Sequence, residues 1–234
     1  MTSGLAFARF SYFPSLVFRF DLPDAETLNE QLLTLLSAVR EADLEGVEKS
    51  NNRYLGGWHS RENLHKLPGF EPMVGYIHKS GEQISSDLGY DNTCALRIGS
   101  MWSIINPPGA FNLAHVHPGS LWSGVYYVHA PDNCGRISFA DPRIANVMNK
   151  PRYMRNHRVQ KKCWTKVSFS PVAGMMLVFP SWLYHSVEPN RAIPLNGCGH
   201  NGDRVIISFN LSQKNKSRPI HPRGQYPWAT EEAK

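Results

Sequence analysis

The chain is short of cysteine, modest in charge and without a long apolar run, and each shortage removes a class of function. Four cysteines occur in 234 residues, Cys94, Cys134, Cys163 and Cys198. No two form a C-x-x-C pair, so neither a zinc ribbon nor a dense disulfide framework is indicated, and reduced thiols are the simplest account. No apolar stretch approaches the ~20 residues that a membrane-spanning helix needs. The opening "MTSGLAFARFSYFPSLVFRF" is rich in aromatics but interrupted by Arg9, Pro14 and Arg19, and it lacks a small-residue cleavage site behind an apolar core. It reads as a strand rather than a signal peptide, and the expected location is cytoplasmic. Lysine and arginine number 25 against 19 acids, a formal charge of +6. The basic residues are scattered except in "RYMRNHRVQKK" and "KNKSRPIHPR", and no nucleic-acid motif accompanies them. They read as a solvated loop and tail, so nucleic acid is not an expected partner.

With 41% hydrophobic residues the chain can bury a sizeable core, and a single domain is expected. "SLVFRFDLPDAETLNEQLLTLLSAVREA" begins with β-type residues and changes period after Asp24. Leu28, Leu32, Leu35, Leu36 and Val39 then recur at helical spacing, with Asp24 as the N-cap. "SNNRYLGGWHSREN" reads as a loop, and "PGFEPMVGYIHKSGEQISSDLG" as a second helix weakened by Gly75 and Gly81. From about residue 94 the character changes. "ALRIGSMWSIIN", "SGVYYVHA", "RISFAD", "MMLVFPSWLYHSV" and "RVIISFNLS" are short β-rich runs between turn residues, the pattern of an antiparallel jelly roll. The expected organisation is a helical part over about 1–93, a jelly-roll core over about 94–212 and an irregular tail over 213–234. The fold class is mainly β with flanking helices. "DPRIANVMNKPRYMRNHRVQKKCW" is the longest weakly patterned connection, of the kind that covers ligands on β-scaffolds.

The chemistry starts at "NLAHVHPGSLWSGVYYV". On an extended strand, side chains at i and i+2 share a face, which sets His115 beside His117 in a chelating arrangement. Neutral imidazole is the commonest protein ligand for iron, copper, nickel and zinc, so the pair alone does not name the metal. A jelly-roll metal site needs a ligand from another strand, and "FPSWLYHSVEPN" offers His185. The last strand, "RVIISFN", alternates so that Arg204, Ile206, Ser208 and Asn210 share one face while Val205, Ile207 and Phe209 take the other. A buried arginine there requires an anionic partner, and its planar fork suits a carboxylate.

In this order, "HVH", "SGVYYV", "GRISFADPR", "FPSWLYHSVEPN" and "RVIISFN" resemble the double-stranded β-helix of the 2-oxoglutarate/Fe(II)-dependent oxygenases, a cupin-like jelly roll. "SNNRYLGGWHS" and "NPPGAFNLAHVHPGSLWSGVYYV" resemble more closely a bacterial and phage branch of that superfamily. The resemblance runs from about Phe13 to Leu211. It implies Fe(II) and 2-oxoglutarate as cofactors, with His115 and His185 as iron ligands. Arg204 would bind the remote carboxylate of 2-oxoglutarate, with Ser123, Tyr127 and Ser208 lining the same pocket. The implied reaction consumes O2 and 2-oxoglutarate, releases succinate and CO2, and hydroxylates a C–H bond of a substrate. Nothing in the sequence selects between a small molecule and a peptidyl side chain as that substrate.

One position departs from the pattern. The superfamily has an aspartate or glutamate two residues after the first histidine, where this chain has His117. Three readings follow: His117 is the third ligand of a three-histidine site; His117 turns away; or the frame shifts, with His117 first and Gly119 in place of the carboxylate, as in related halogenases. Convergence of i and i+2 favours the first, and Pro118 disturbs the strand the third requires. Asp141 in "FADPR" reads as a strand-ending turn rather than a replacement carboxylate. Trp58, His59 and Asn112 are candidates for the site's surroundings. Arg191 is a rival to Arg204 but sits in a proline-bounded turn. Two competing functions stay open: a cupin-like three-histidine iron dioxygenase without a keto acid, and a non-catalytic jelly-roll binding protein.

Overall fold

A computed structural model describes residues 12–43, 45–143, 148, 151–152, 164–194 and 202–216. The basic loop, most of the tail, and with them Cys163, Cys198, His157, His200 and His221, lie outside the described residues. Among the described residues, ten strands and three α-helices follow in chain order. They are β1 (Phe18–Asp21), α1 (Ala25–Ala42), α2 (Gly46–Lys49), β2 (Trp58–His59), α3 (Glu71–Asp87), β3 (Cys94–Asn106), β4 (Asn112–His115), β5 (Trp122–His129), β6 (Ile137–Ala140), β7 (Lys166–Phe169), β8 (Met175–Pro180), β9 (His185–Val187) and β10 (Arg204–Asn215). They form a six-stranded sheet in the order β1-β8-β5-β10-β3-β2 and a four-stranded sheet in the order β4-β9-β6-β7. All the pairings within the two sheets are antiparallel.

The strand residues sort into two cores because β5, β8 and β10 each bury both faces. Tyr126, Met176, Val178, Val205, Ile207 and Phe209 face the helices and pack with Leu32 and Leu36 of α1 and Met73 and Ile77 of α3. Each fully buried Leu or Ile there contributes about 1.5–3 kcal/mol of transfer free energy. Asn29 of α1 is buried among them because its Oδ1 accepts a 2.7 Å hydrogen bond from the Tyr126 hydroxyl. The alternate residues Val125, Tyr127, Leu177, Phe179 and Ile206 face the smaller sheet and pack on Ile137 and Phe139. The alternation expected for "RVIISFN" is therefore the one observed.

Several details differ from the sequence reading. Asp24 stands at the N-cap of α1, but with a left-handed φ of 53° and no side-chain capping bond. The expected loop around Trp58 contains a strand, since the fully buried indole docks in the helix-side core and pulls β2 alongside β3, Trp58 opposite Ile105 and His59 opposite Ile104. Strand β1 is the β-type segment expected ahead of α1, whereas β2 carries the main sheet into a stretch expected to be a loop. Strand β10 continues to Asn215, past the expected start of the tail, because its final residues still pair with β3. Among the described residues, no helix is long and apolar enough to cross a membrane.

Candidate metal centre

The centre begins with one register. Antiparallel pairing of β4 with β9 sets His115 directly opposite His185, so two imidazoles from remote parts of the chain meet across one strand pair. Strand β4 ends at His115, so the i, i+2 argument does not by itself place His117. Instead the backbone N–H of His117 donates to the Ser181 carbonyl at 2.9 Å, which turns the chain inward just after the strand. Gly119, the carboxylate position of the shifted frame, sits in the following turn with φ +84°. Ring centroids are 4.3 Å apart for His115 and His185, 5.1 Å for His117 and His185, and 5.2 Å for His115 and His117. One nitrogen from each of the three rings lies within 4.8 Å of the others.

The outer ring nitrogens fix the tautomers. His115 Nδ1 lies 2.8 Å from the Leu113 carbonyl, His185 Nδ1 lies 2.9 Å from the Leu183 carbonyl, and His117 Nδ1 lies 2.9 Å from Asn210 Oδ1. Each of these partners is an acceptor, so each Nδ1 carries the hydrogen and each Nε2 keeps its lone pair. Burial pushes the His185 pKa down from 6.5 to about 4. Burial also lowers that of His117, partly opposed by its bond to Asn210. Both rings are neutral at pH 7, the protonation state a metal requires. Three convergent Nε2 lone pairs fit a first-row divalent cation with open positions, Fe(II) among them. The site is graded in exposure, with His115 open to solvent, His117 half-buried and His185 buried.

These rings line a cavity of about 500 Å³ whose walls are mostly apolar, including Ile104, Val125, Ile137, Phe179, Val187 and Ile206. Arg204, at 1% exposure, is part of the same wall. Its Nη1 donates to the carbonyls of Cys134 and Glu188, the latter at 3.4 Å, while its Nη2 is buried with no partner among the described residues. The sequence reading requires an anion beside this arginine, and no carboxylate among the described residues bonds to it. Burial accordingly lowers its pKa, with Cys134 and Tyr127 close enough to oppose the shift. Gly135, with φ +90°, allows the approach, because a Cβ there would overlap the Glu188 carbonyl and come within 2.9 Å of Arg204 Nη1.

The other expected residues divide. Tyr127 and Ser208 line the cavity, and burial drives the Tyr127 phenol well above its usual range. Ser123 is fully buried behind the wall, where its hydroxyl donates to Asn210 Oδ1 at 2.8 Å. Asn112 and His59 line the cavity, and His59 stacks on Trp102, which stacks in turn on His117. Trp58 lies in the helix-side core. Asp141 pairs with Arg143 at 2.9 Å in its turn. Arg191 borders a separate cavity with Asp132 and Glu188. Sequence reasoning passed over Trp102, Asn210 and Glu62, the one carboxylate among the described residues that line the histidine cavity. Asn210 was signalled by sharing a strand face with Arg204. Glu62, in a loop, had no such signal.

Comparison with known proteins places this geometry. Residues 100–210 match a family described as "Putative 2OG-Fe(II) oxygenase". No curated protein sequence matches the chain. Among solved structures, a Pseudomonas putida prolyl-4-hydroxylase superposes with a TM-score of 0.52 at 14% identity, covering 85% of this chain and 92% of that one. The non-heme monooxygenase ThoJ, solved as a nickel complex, gives 0.54 at 12% identity over 87% and 77% of the two chains. The non-heme alpha-ketoglutarate-dependent carbocyclase SnoK, from nogalamycin biosynthesis, gives 0.52 at 14% over 84% and 79%. At these identities the likeness is one of fold. The stretch that matches the family, residues 100 to 210, is the one that carries the three histidines and Arg204.

Proposed function

We propose that this protein is an Fe(II) oxygenase that uses 2-oxoglutarate and O2 to hydroxylate a C–H bond, with His115, His117 and His185 as the iron ligands. The observation that carries the reading is the pairing, in one cavity, of three convergent imidazoles with a buried guanidinium that has no acidic partner among the described residues. Bound iron would supply chelation of the keto acid, activation of O2 and the oxidising power for the C–H bond. Arg204 receives the remote carboxylate through its free Nη2, and Tyr127 and Ser208 border that end of the cosubstrate. The apolar walls keep water from the reacting groups. The exposed mouth, at His115 and Glu62, is where a small molecule or a peptidyl side chain enters. Three neutral ligands leave the centre one negative charge short of a two-histidine-one-carboxylate site, which favours a dianionic cosubstrate. The two described free thiols, Cys94 and Cys134, accord with a cytoplasmic setting.

The test is anaerobic titration of Fe(II)-loaded protein with 2-oxoglutarate, followed by the visible charge-transfer band of keto-acid chelation, in wild type and Arg204→Gln. A saturable band in wild type that needs far more 2-oxoglutarate in the variant is the expected result. Stoichiometric iron with no band would favour a three-histidine dioxygenase that needs no keto acid. Failure to retain iron would favour a binding protein.

A further inference from the structure

His117 occupies the place of a carboxylate, and what holds it there differs from what holds its two neighbours. His115 and His185 each turn Nδ1 onto a backbone carbonyl two residues earlier, a local contact that no side-chain substitution removes. His117 alone is oriented by a side chain from another strand, the carboxamide of Asn210. That carboxamide is itself fully determined. Its Oδ1 accepts from both His117 Nδ1 and the Ser123 hydroxyl, and its Nδ2 donates to Ser100 Oγ at 3.1 Å. Ser123 lies 2.8 Å from the hydroxyl of Ser181, whose carbonyl holds the His117 backbone. Ring and backbone of His117 are thus tied to one partly buried polar cluster. The β10–β3 ladder also shifts register between Asn210 and Leu211. Such an irregularity beside a site re-aims a side chain.

We propose that Asn210 is the positioning residue that makes His117 a metal ligand: its amide oxygen, held by Ser123 and Ser100, keeps the hydrogen on Nδ1 and points the Nε2 lone pair at His115 and His185. Asparagine suits the task because it accepts from the imidazole without adding charge and still donates to Ser100. An aspartate would make the ring more basic and cancel part of the metal's charge. An alanine would leave the ring free to turn and Nδ1 without an acceptor. Partners of this kind typically govern metal affinity by 10–100-fold.

The proposal rests on the three-histidine reading, and the experiment separates the two. Co(II) is titrated into wild type, His185→Ala, His117→Ala, Asn210→Ala, Asn210→Asp and the His117→Ala/Asn210→Ala double variant, with thermal unfolding as a check on folding. The readouts are the dissociation constant and the visible ligand-field spectrum. In Asn210→Ala, affinity should fall about 10–100-fold and the spectrum should move to that of His117→Ala. The double variant should match His117→Ala alone. Asn210→Asp, which keeps the acceptor, should recover affinity with a shifted spectrum. A folded Asn210→Ala with wild-type affinity and spectrum would overturn the role of Asn210 and leave the metal centre standing. Undiminished Co(II) binding in His185→Ala would overturn the metal centre, and the proposal with it.

Discussion

Replacing Arg204 by methionine should make the ligand-free protein more stable while disabling its cosubstrate site. Arg204 is 1% exposed, and among the described residues its hydrogen bonds run from Nη1 to two carbonyls, leaving Nη2 buried without a partner. An unsatisfied buried donor costs about 1–3 kcal/mol, more when charged. Exchanging buried charge for apolar volume is often neutral or stabilising by about 1–4 kcal/mol. Methionine has comparable length and the freedom to fill the space beside Gly135. Against this stands the loss of the bond to the Cys134 carbonyl, so the net expectation is a gain of about 1–2 kcal/mol. For a chain of this length each kcal/mol moves the melting point by about 2–4 °C, giving a rise of about 2–8 °C. Truncating the buried cation of a charge pair costs about 2–5 kcal/mol of binding, which predicts at least about 30-fold weaker 2-oxoglutarate affinity. Thermal unfolding of wild type and Arg204→Met, with metal and with or without 2-oxoglutarate, measures both. A variant that melts below wild type without ligand, yet is still protected by 2-oxoglutarate, would refute the reasoning and make the guanidinium a structural brace.

His185→Ala should abolish stoichiometric Fe(II) retention without unfolding the protein, checked by metal analysis and circular dichroism. Gly135→Ala forces an L side chain to φ +90° and into the Glu188 carbonyl. It should cost about 1–3 kcal/mol of strain, read by urea unfolding, and should weaken 2-oxoglutarate binding by displacing Arg204. In metal-free protein, His185 is held neutral with its pKa depressed from 6.5 to about 4. The unfolded chain therefore binds the extra proton across that interval, and stability should be complete above about pH 6.5 and decline as the pH falls toward 4. A denaturant midpoint flat across that window in wild type, matching that of His185→Ala, would count against the burial of this ring.

What the sequence disclosed follows the reach of each signal. The period-3.6 leucines of α1 and the period-2 alternation of β10 are local patterns, and both are realised. The convergence of His115 with His185 depends on a strand register between segments 70 residues apart; the sequence offered His185 as a ligand from another strand, and the family resemblance paired it with His115. His117 reaches its place for a reason different from the one anticipated, since the strand ends before it and a bond to Ser181 takes over. Asp24 shows the opposite limit: residue type marked the helix start, but the backbone there is left-handed and the carboxylate makes no capping bond. Glu62 and Trp102 come to the cavity from segments without a distinctive pattern, so only the assembled fold places them.

The pairing of β4 with β9 bears on how the protein would behave as metal comes and goes. Strand β4 is four residues long, at the edge of its sheet, and carries exposed Leu113, Ala114 and His115. Segments with so few buried apolar contacts open at little free-energy cost. His185, by contrast, is buried against Phe179 and Phe139. A metal joining the two rings acts as a clasp, closing an exposed edge strand onto a buried histidine. Part of the binding free energy is then spent in ordering that edge. Slowed amide exchange in β4 on metal loading, with β8 and β10 unchanged, would be the signature of this local coupling.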